Sequence, residues 1–204
     1  MTDNLLALDV ASNTGVCWGI PGLAPQFMSQ KFTRDGESSS MDGVASAASR
    51  AMLWLIEFLK VEKIEAAVIE APIPERALGA HSNAWSTALK YALIGSLSGV
   101  LRGKSIPIRF ANIQGIRKNF LGHGNLPGEV AKKETMRFCI AAGWSPKNLD
   151  ESDAGAAWHF ECMKRFPRES QLIDPIALRI PPVQKPIKGE RVSLAPKRFG
   201  GQMS

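Results

Sequence analysis

Two acids interrupt runs that are otherwise apolar. Asp9 closes Leu5-Leu6-Ala7-Leu8, and Glu70 closes Ala66-Ala67-Val68-Ile69. An ionised carboxylate in such a run is costly to desolvate unless a partner or a metal compensates it. If the two runs are adjacent parallel strands, the acids meet at the strands' carboxyl ends, where open α/β sheets hold ligands. Carboxylates side by side repel, and a divalent cation is the common remedy. Each acid alone also suits a cap on the turn after it. A second pair lies in Leu149-Asp150-Glu151-Ser152-Asp153-Ala154-Gly155-Ala156-Ala157. Asp150 and Asp153 share one face of a helix by their spacing, and the small residues beyond let that helix lie close to a sheet. The same pair fits a capping box, with an acid at the cap and another three on. The two roles are compatible.

Four acids converging from two strands and one helix make a two-metal site. Two Mg²⁺ ions about 4 Å apart would bind a scissile phosphate, activate a water and stabilise the leaving 3′ oxygen. Oxygen-only ligation suits Mg²⁺, or Mn²⁺, rather than zinc. His159 and Cys162 are three apart, but no second pair stands at zinc spacing, so packing is the expected role. At ~100° per residue, His159 also lies about 120° round the helix from Asp153. No Walker A loop or G-x-G-x-x-G is present, so no nucleotide cofactor is expected.

The elements that must position these acids are legible in the hydrophobic pattern. Leu5 to Val10 and Gly15 to Ile20 read as strands, with Asn13-Thr14-Gly15 as a hairpin turn between them. Gln26 to Thr33 reads as a third strand, Ala66 to Ala71 as a fourth and Ile106 to Ala111 as a fifth. Helical spacing runs over Val44 to Lys60, after capping residues at Ser38 to Asp42, and again over Ser82 to Arg102. Further helices are expected at Ile113 to Phe120, Val130 to Ala142 and Asp150 to about Phe166. A three-strand meander followed by alternating strands and helices implies a mixed α/β sheet flanked by helices on both faces. Residues 1–165 are the expected folded domain. Residues 166–204 are rich in proline with little periodicity and read as an extended tail.

The chain has 204 residues, 45% of them apolar and 22% charged, enough to bury a real core. No uninterrupted apolar stretch is long enough for a membrane span. The first residues carry an acid and no basic n-region, so no secretory signal is expected. Three widely spaced cysteines favour a reducing cytoplasm over a disulfide framework. The net charge of +6 falls entirely in the stretch from Lys164 to Ser204, where nine Lys and Arg outweigh three acids. Such a tail serves a polyanion or keeps the chain soluble. Within the domain, Arg117 and Lys118 beside Phe120, and the pair Lys132-Lys133, are positioned to hold phosphates or to form a solvated basic face. Arg76, Lys90 and Arg137 are weaker residues of the same kind, and His123 sits in a Gly-rich loop that could approach DNA.

With these residues in order, the chain resembles the RuvC-type Holliday junction resolvases of the ribonuclease H-like superfamily. The matching pieces are Leu6-Ala7-Leu8-Asp9 with Thr14-Gly15, Ala67-Val68-Ile69-Glu70, Asp150-x-x-Asp153-Ala154, Ala88-Leu89-Lys90 and Ala131-Lys132-Lys133, over roughly residues 5–165. The resemblance implies a ribonuclease H-like fold and a metal-dependent endonuclease that nicks four-way junctions as a homodimer. It implies Asp9, Glu70, Asp150 and Asp153 as metal ligands, with Lys118 and Lys133 near the scissile phosphate. Lys133 or Lys118 would stabilise its charge. Gly95 and Gly99 would admit a close helix contact across the dimer, or pack that helix onto its own sheet.

Departures are visible too. Val10-Ala11-Ser12 replaces the family's Pro-Gly after the first acid, and Ala71-Pro72-Ile73-Pro74 lacks the aromatic wedge that follows the second. Among the five tryptophans, Trp85 is the one placed to substitute for it. Such divergence suits a phage-encoded relative acting broadly on branched DNA, flaps and forks included. A non-catalytic DNA-binding scaffold is the alternative of another class, and the retention of all four acids argues against it.

Overall fold

The computed structural model describes residues 3–72 and 84–170. Strand β1 (Leu5–Asp9) pairs antiparallel with β2 (Asn13–Gly19), which pairs antiparallel with β3 (Gln26–Lys31). On its other side β1 runs parallel to β4 (Ala66–Glu70), and β4 runs parallel to β5 (Ile108–Ala111). The sheet order is therefore β3-β2-β1-β4-β5, with β1 in the middle. Helix α1 (Met41–Val61) connects β3 to β4, and α2 (Ala84–Gly103) leads to β5. Then come α3 (Ile113–Leu121), α4 (Gly128–Ala141), α5 (Leu149–Arg165) and the short α6 (Pro167–Ser170).

The period of two along the central strands creates two cores. Leu6 and Leu8 of β1, with Ala67 and Ile69 of β4, face α1 and α2 and pack on Leu55, Leu93 and Leu97. Leu5 and Ala7, with Ala66 and Val68, face the other helices and pack on Phe120, Trp144 and Trp158. Both faces of β1 and β4 are covered, so the strands must be apolar throughout. Only their last residues, Asp9 and Glu70, emerge from the layers.

The expected order of strands and helices is the observed one, with three differences. Asn13, Thr14 and Gly15 belong to β2, and the chain reverses over residues 10–12 instead. The local turn signal lost to pairing, because Gly15 sits opposite Asp9 in the ladder and fully buried Thr14 donates its hydroxyl to the Ala11 carbonyl at 2.9 Å. Helix α6 occupies the first residues of the segment read as tail, tied back by the Ser170 hydroxyl on the Phe166 carbonyl at 2.7 Å. The third concerns Gly95 and Gly99. A Cβ built on either meets nothing within 4 Å, so they do not mark close packing on the sheet. Arg76, the residues Ile73 and Pro74, and the tail beyond Ser170 lie outside the described residues. Among those described, no helix is long and apolar enough to cross a membrane, and all three cysteines are buried and unpaired.

Candidate active site

The parallel register pairs Leu8 with Ile69, and one step further along brings Asp9 beside Glu70. The helix that must join them is α5. Its N-terminus reaches the strand ends because Gly15, opposite Asp9, has no side chain. A Cβ there would run into the backbone carbonyl of Asp150. Further along, Gly155 lies against the ring of Phe27, where a Cβ would stand 2.9 Å from the ring edge. Glycines at the two contacts thus set α5 down on β2 and β3, and they put Asp150 and Asp153 next to Asp9.

The capping role falls to other residues. Asn148 is the N-cap of α5, accepting from the Glu151 N–H at 2.9 Å, while buried Glu151 accepts from the Lys147 N–H at 2.6 Å. This division leaves Asp150 and Asp153 free of backbone duty. Asp150 takes a hydrogen bond from the Asn13 side chain at 2.6 Å. Asn13 is a site residue that sequence reading missed, since it had been spent on a turn.

Cations approach this cluster without closing on it. The Lys90 ammonium of α2 stands 3.7 Å from Glu70. Lys132 of α4 lies 3.8 Å from Asp150 and 3.9 Å from Asp153. Arg117 of α3 donates to the Leu126 carbonyl at 3.4 Å, and its charge favours the ionised form of Asp153. Compensation is incomplete. Burial, then the charges of Glu70 and Asp153, push the Asp9 carboxyl up to about 8 against the pull of Lys90. Burial outweighs Lys132 at Asp153 and, with Glu70 and Asp150, raises that group to about 6.

Among the described residues, no three His, Cys, Asp or Glu side chains gather around one point able to hold a metal ion. The donor chemistry nevertheless fits a hard divalent cation. Asp9, Glu70, Asp150 and Asp153 offer only carboxylate oxygens, and burial together with the neighbouring carboxylates holds Asp9 toward its neutral form.

The other basic residues distribute as follows. Lys133 points to solvent, so of the Lys132-Lys133 pair it is Lys132 that meets the acids. Lys118 and His123 line a separate cavity beside α3. His159 is buried away from the acids, its Nδ1 3.2 Å from the Asn119 side-chain oxygen and its ring edge-on to Phe120. Arg137 pairs with Glu134 on the surface at 2.7 Å. Trp18, Trp144 and Trp158 are core, and Trp54 and Trp85 pack against it.

An acid-tipped parallel pair in a β3-β2-β1-β4-β5 mixed sheet, with helices on both faces, is the ribonuclease H-like α/β fold. Within that class the fold is RuvC-like. RuvC of Thermus thermophilus superposes with a TM-score of 0.55 at 14% identity, over 76% of this chain and 90% of that one. The T. thermophilus RuvC in complex with a Holliday junction substrate gives 0.57 at 13%, over the same shares. The yeast mitochondrial Holliday junction resolvase Ydc2 gives 0.56 at 9%, over 87% of this chain and 80% of that one. No family model and no curated relative matches the sequence.

Proposed function

We propose that this chain is a divalent-cation-dependent endonuclease that nicks branched DNA, four-way junctions above all. The observation that carries the reading is the convergence of Asp9 and Glu70, at the carboxyl ends of the central parallel strands, with Asp150 and Asp153 at the start of α5, on a fold shared with T. thermophilus RuvC and the yeast mitochondrial Holliday junction resolvase Ydc2. Asp9, Glu70 and Asp153 would hold the cations, Mg²⁺ or Mn²⁺, and Asp150, steadied by Asn13, would complete the set. When bound, such ions orient the phosphate and lower the pKa of the attacking water.

The chain's own groups supply the rest. Burial and then the negative charges of Glu70 and Asp153 favour the neutral form of Asp9, and a divalent cation bound there would relieve that repulsion. Lys132, released from Asp150 and Asp153 once their charge is met, is placed to face a phosphate oxygen and stabilise the charge that builds there. Arg117 and Lys118 on α3, with solvent-facing Lys133, extend a basic surface for the DNA backbone.

Symmetric cutting of two strands needs two such sites. The exposed stripe of α2 formed by Tyr91, Gly95 and Gly99 is the surface we assign to a second copy, and sedimentation of the protein with and without Gly95→Arg tests it. The activity itself is tested with a labelled four-way junction, a flap and a linear duplex, each with Mg²⁺ or EDTA. Paired nicks in the junction, absent from linear duplex and abolished by EDTA, are expected. Cutting of every branched form equally would replace junction selectivity with general debranching, and junction binding without any cutting would leave only a DNA-binding fold.

A further inference from the structure

Beside α3 lies a cavity that the steps above touch only through Lys118. It measures about 700 Å³ and is lined by Asn112, Gln114, Lys118, His123, Asn125 and Leu126 together with glycine backbone. The space exists because the chain leaving α3 folds back along that helix. Gly122 ends α3 in the left-handed conformation at φ 77°, which turns the chain. Gly124 then lies against the helix, where a Cβ would stand 3.1 Å from the Gln114 carbonyl oxygen. Between helix and loop, the missing side chain of Gly115 keeps the floor low.

The chemistry of the lining is selective. It contains a lysine, a histidine and three carboxamides, and no acid. The Asn112 side-chain oxygen is engaged by the Gly115 N–H at 2.6 Å, which turns its amide nitrogen into the group left to donate. The volume falls within the ~300–1,000 Å³ of pockets that enclose whole small molecules, far more than a lone phosphate needs. The position is equally telling. Ala111 pairs with Glu70 across the β4–β5 ladder, and Asn112 is the next residue. The cavity rim therefore stands about 5 Å across and ~3 Å along from the backbone of a proposed metal ligand.

We propose that this cavity takes one unpaired nucleotide of the branched DNA, adjacent to the bond that is cut. The inference rests on the nuclease reading of the acid cluster and adds a recognition site to it. Lys118 meets the nucleotide's phosphate, the His123 ring stacks on its base, and Asn112, Gln114 and Asn125 offer donors and acceptors to the base edge. Carboxamides match the paired donor and acceptor pattern of bases, and a ring plane accepts any base face. Nucleotides at a branch point are the least expensive to unstack, so a pocket for one selects branched over continuous duplex DNA.

The test is a thermodynamic cycle in EDTA, where nothing is cut. Four-way junctions carrying a single abasic site, one position at a time around the branch, are titrated with wild type, His123→Ala and Asn125→Ala. Both residues are exposed, so the variants keep the fold. At one position, losing the base is expected to weaken wild-type binding by about fivefold to a hundredfold, the span that stacking on a side chain supplies. The same base loss should matter several-fold less to either variant, because the group that met it is gone. An abasic scan with the same profile in wild type and both variants overturns the pocket while leaving the nuclease reading standing. Failure of wild type to bind the intact junction overturns both, so the two failures are told apart by one gel.

Discussion

Helix α5 carries carboxylates near both ends, half-buried at its start and fully buried near its finish, and they are treated in opposite ways. Glu161, fully buried near its C-terminal end, receives Arg109 of β5 at 2.6 Å and Arg165 at 2.5 Å. Those are short, charge-assisted hydrogen bonds that satisfy the acid. At the N-terminal end, Asp153 and Asp150 share a single lysine at 3.8–3.9 Å, and Asp9 across from them is pushed well above the usual carboxylate range. One helix thus holds an anchored acid and a set of acids left short of charge. A satisfied carboxylate ties β5 to α5 and needs nothing more. An unsatisfied cluster costs stability, and on the proposed reading a bound cation would offset that cost.

The largest expected effect comes from neutralising the unsatisfied end. Asp9→Asn or Asp153→Asn should lower junction cutting by about a thousandfold, ~4 kcal/mol of barrier, while junction binding persists. The same substitutions should raise the melting temperature of the metal-free protein, because repulsion and desolvation are relieved. Cutting undiminished in either variant would remove the acid cluster from the mechanism.

Next in size is the pH dependence of the metal-free protein. An acid whose folded-state pKa lies above its unfolded value holds a proton in the native state that the unfolded chain has released. Stability then falls as pH rises from about 4, through about 6 for Asp153 and about 8 for Asp9, and levels off beyond. Thermal melts in EDTA from pH 5 to 8.5 should drop by a few kcal/mol in total, on the order of one per unit of pH for each titrating group. In Asp9→Asn the drop between pH 6 and 8 should vanish and the portion from Asp153 remain. Added Mg²⁺ should flatten the wild-type profile, and a wild-type melt that rises with pH would contradict the picture.

Gly15 sharpens the comparison from the packing side. Gly15→Ala forces the Asp150 backbone away from β2 at the unsatisfied end only, at a cost on the order of 3 kcal/mol. Urea unfolding measures that loss. Cutting should fall in the folded fraction as well, since Asp150 and Asp153 move with the helix.

The fold was readable because its signals are redundant. Every core strand and long helix carries an uninterrupted apolar period, and Asp9 and Glu70 stand out against theirs. Asp150 and Asp153 were ambiguous because a cap and a ligand set use the same residue types at the same spacing. The resolving detail was Asn148 and Glu151 beside them, and deciding which pair caps requires knowing where the helix starts. Asn13 was hidden for a similar reason: Asn-Thr-Gly is a turn signal locally, and the β1–β2 ladder that overrides it is a tertiary fact. Lys132 and Lys133 are neighbours in sequence, and only the rotation of α4 against α5 tells which one faces the acids. Glu161 and Arg165 stand at helical i,i+4 spacing, but Arg109 gave no pattern, since its meeting with Glu161 joins an edge strand to a helix far along the chain.

The smallest expected effect belongs to that anchor, and it is the most discriminating. Glu161→Gln keeps the size and one acceptor but removes the charge. Arg109 and Arg165 are 46% and 31% exposed, so water takes over much of their solvation and the loss is held to about 1–2 kcal/mol. Denaturation should show that loss with the opposite sign to Asp153→Asn, and well below the melting temperature the cutting rate should stay within about twofold of wild type, as for substitutions far from the chemistry. The two acids sit eight positions apart on one helix, so a difference in sign cannot come from the helix as a whole. It has to come from the partners each acid was given. A Glu161→Gln protein that stays fully stable yet loses cutting would mean that Glu161 is a second functional carboxylate, and the contrast between the two ends of α5 would collapse.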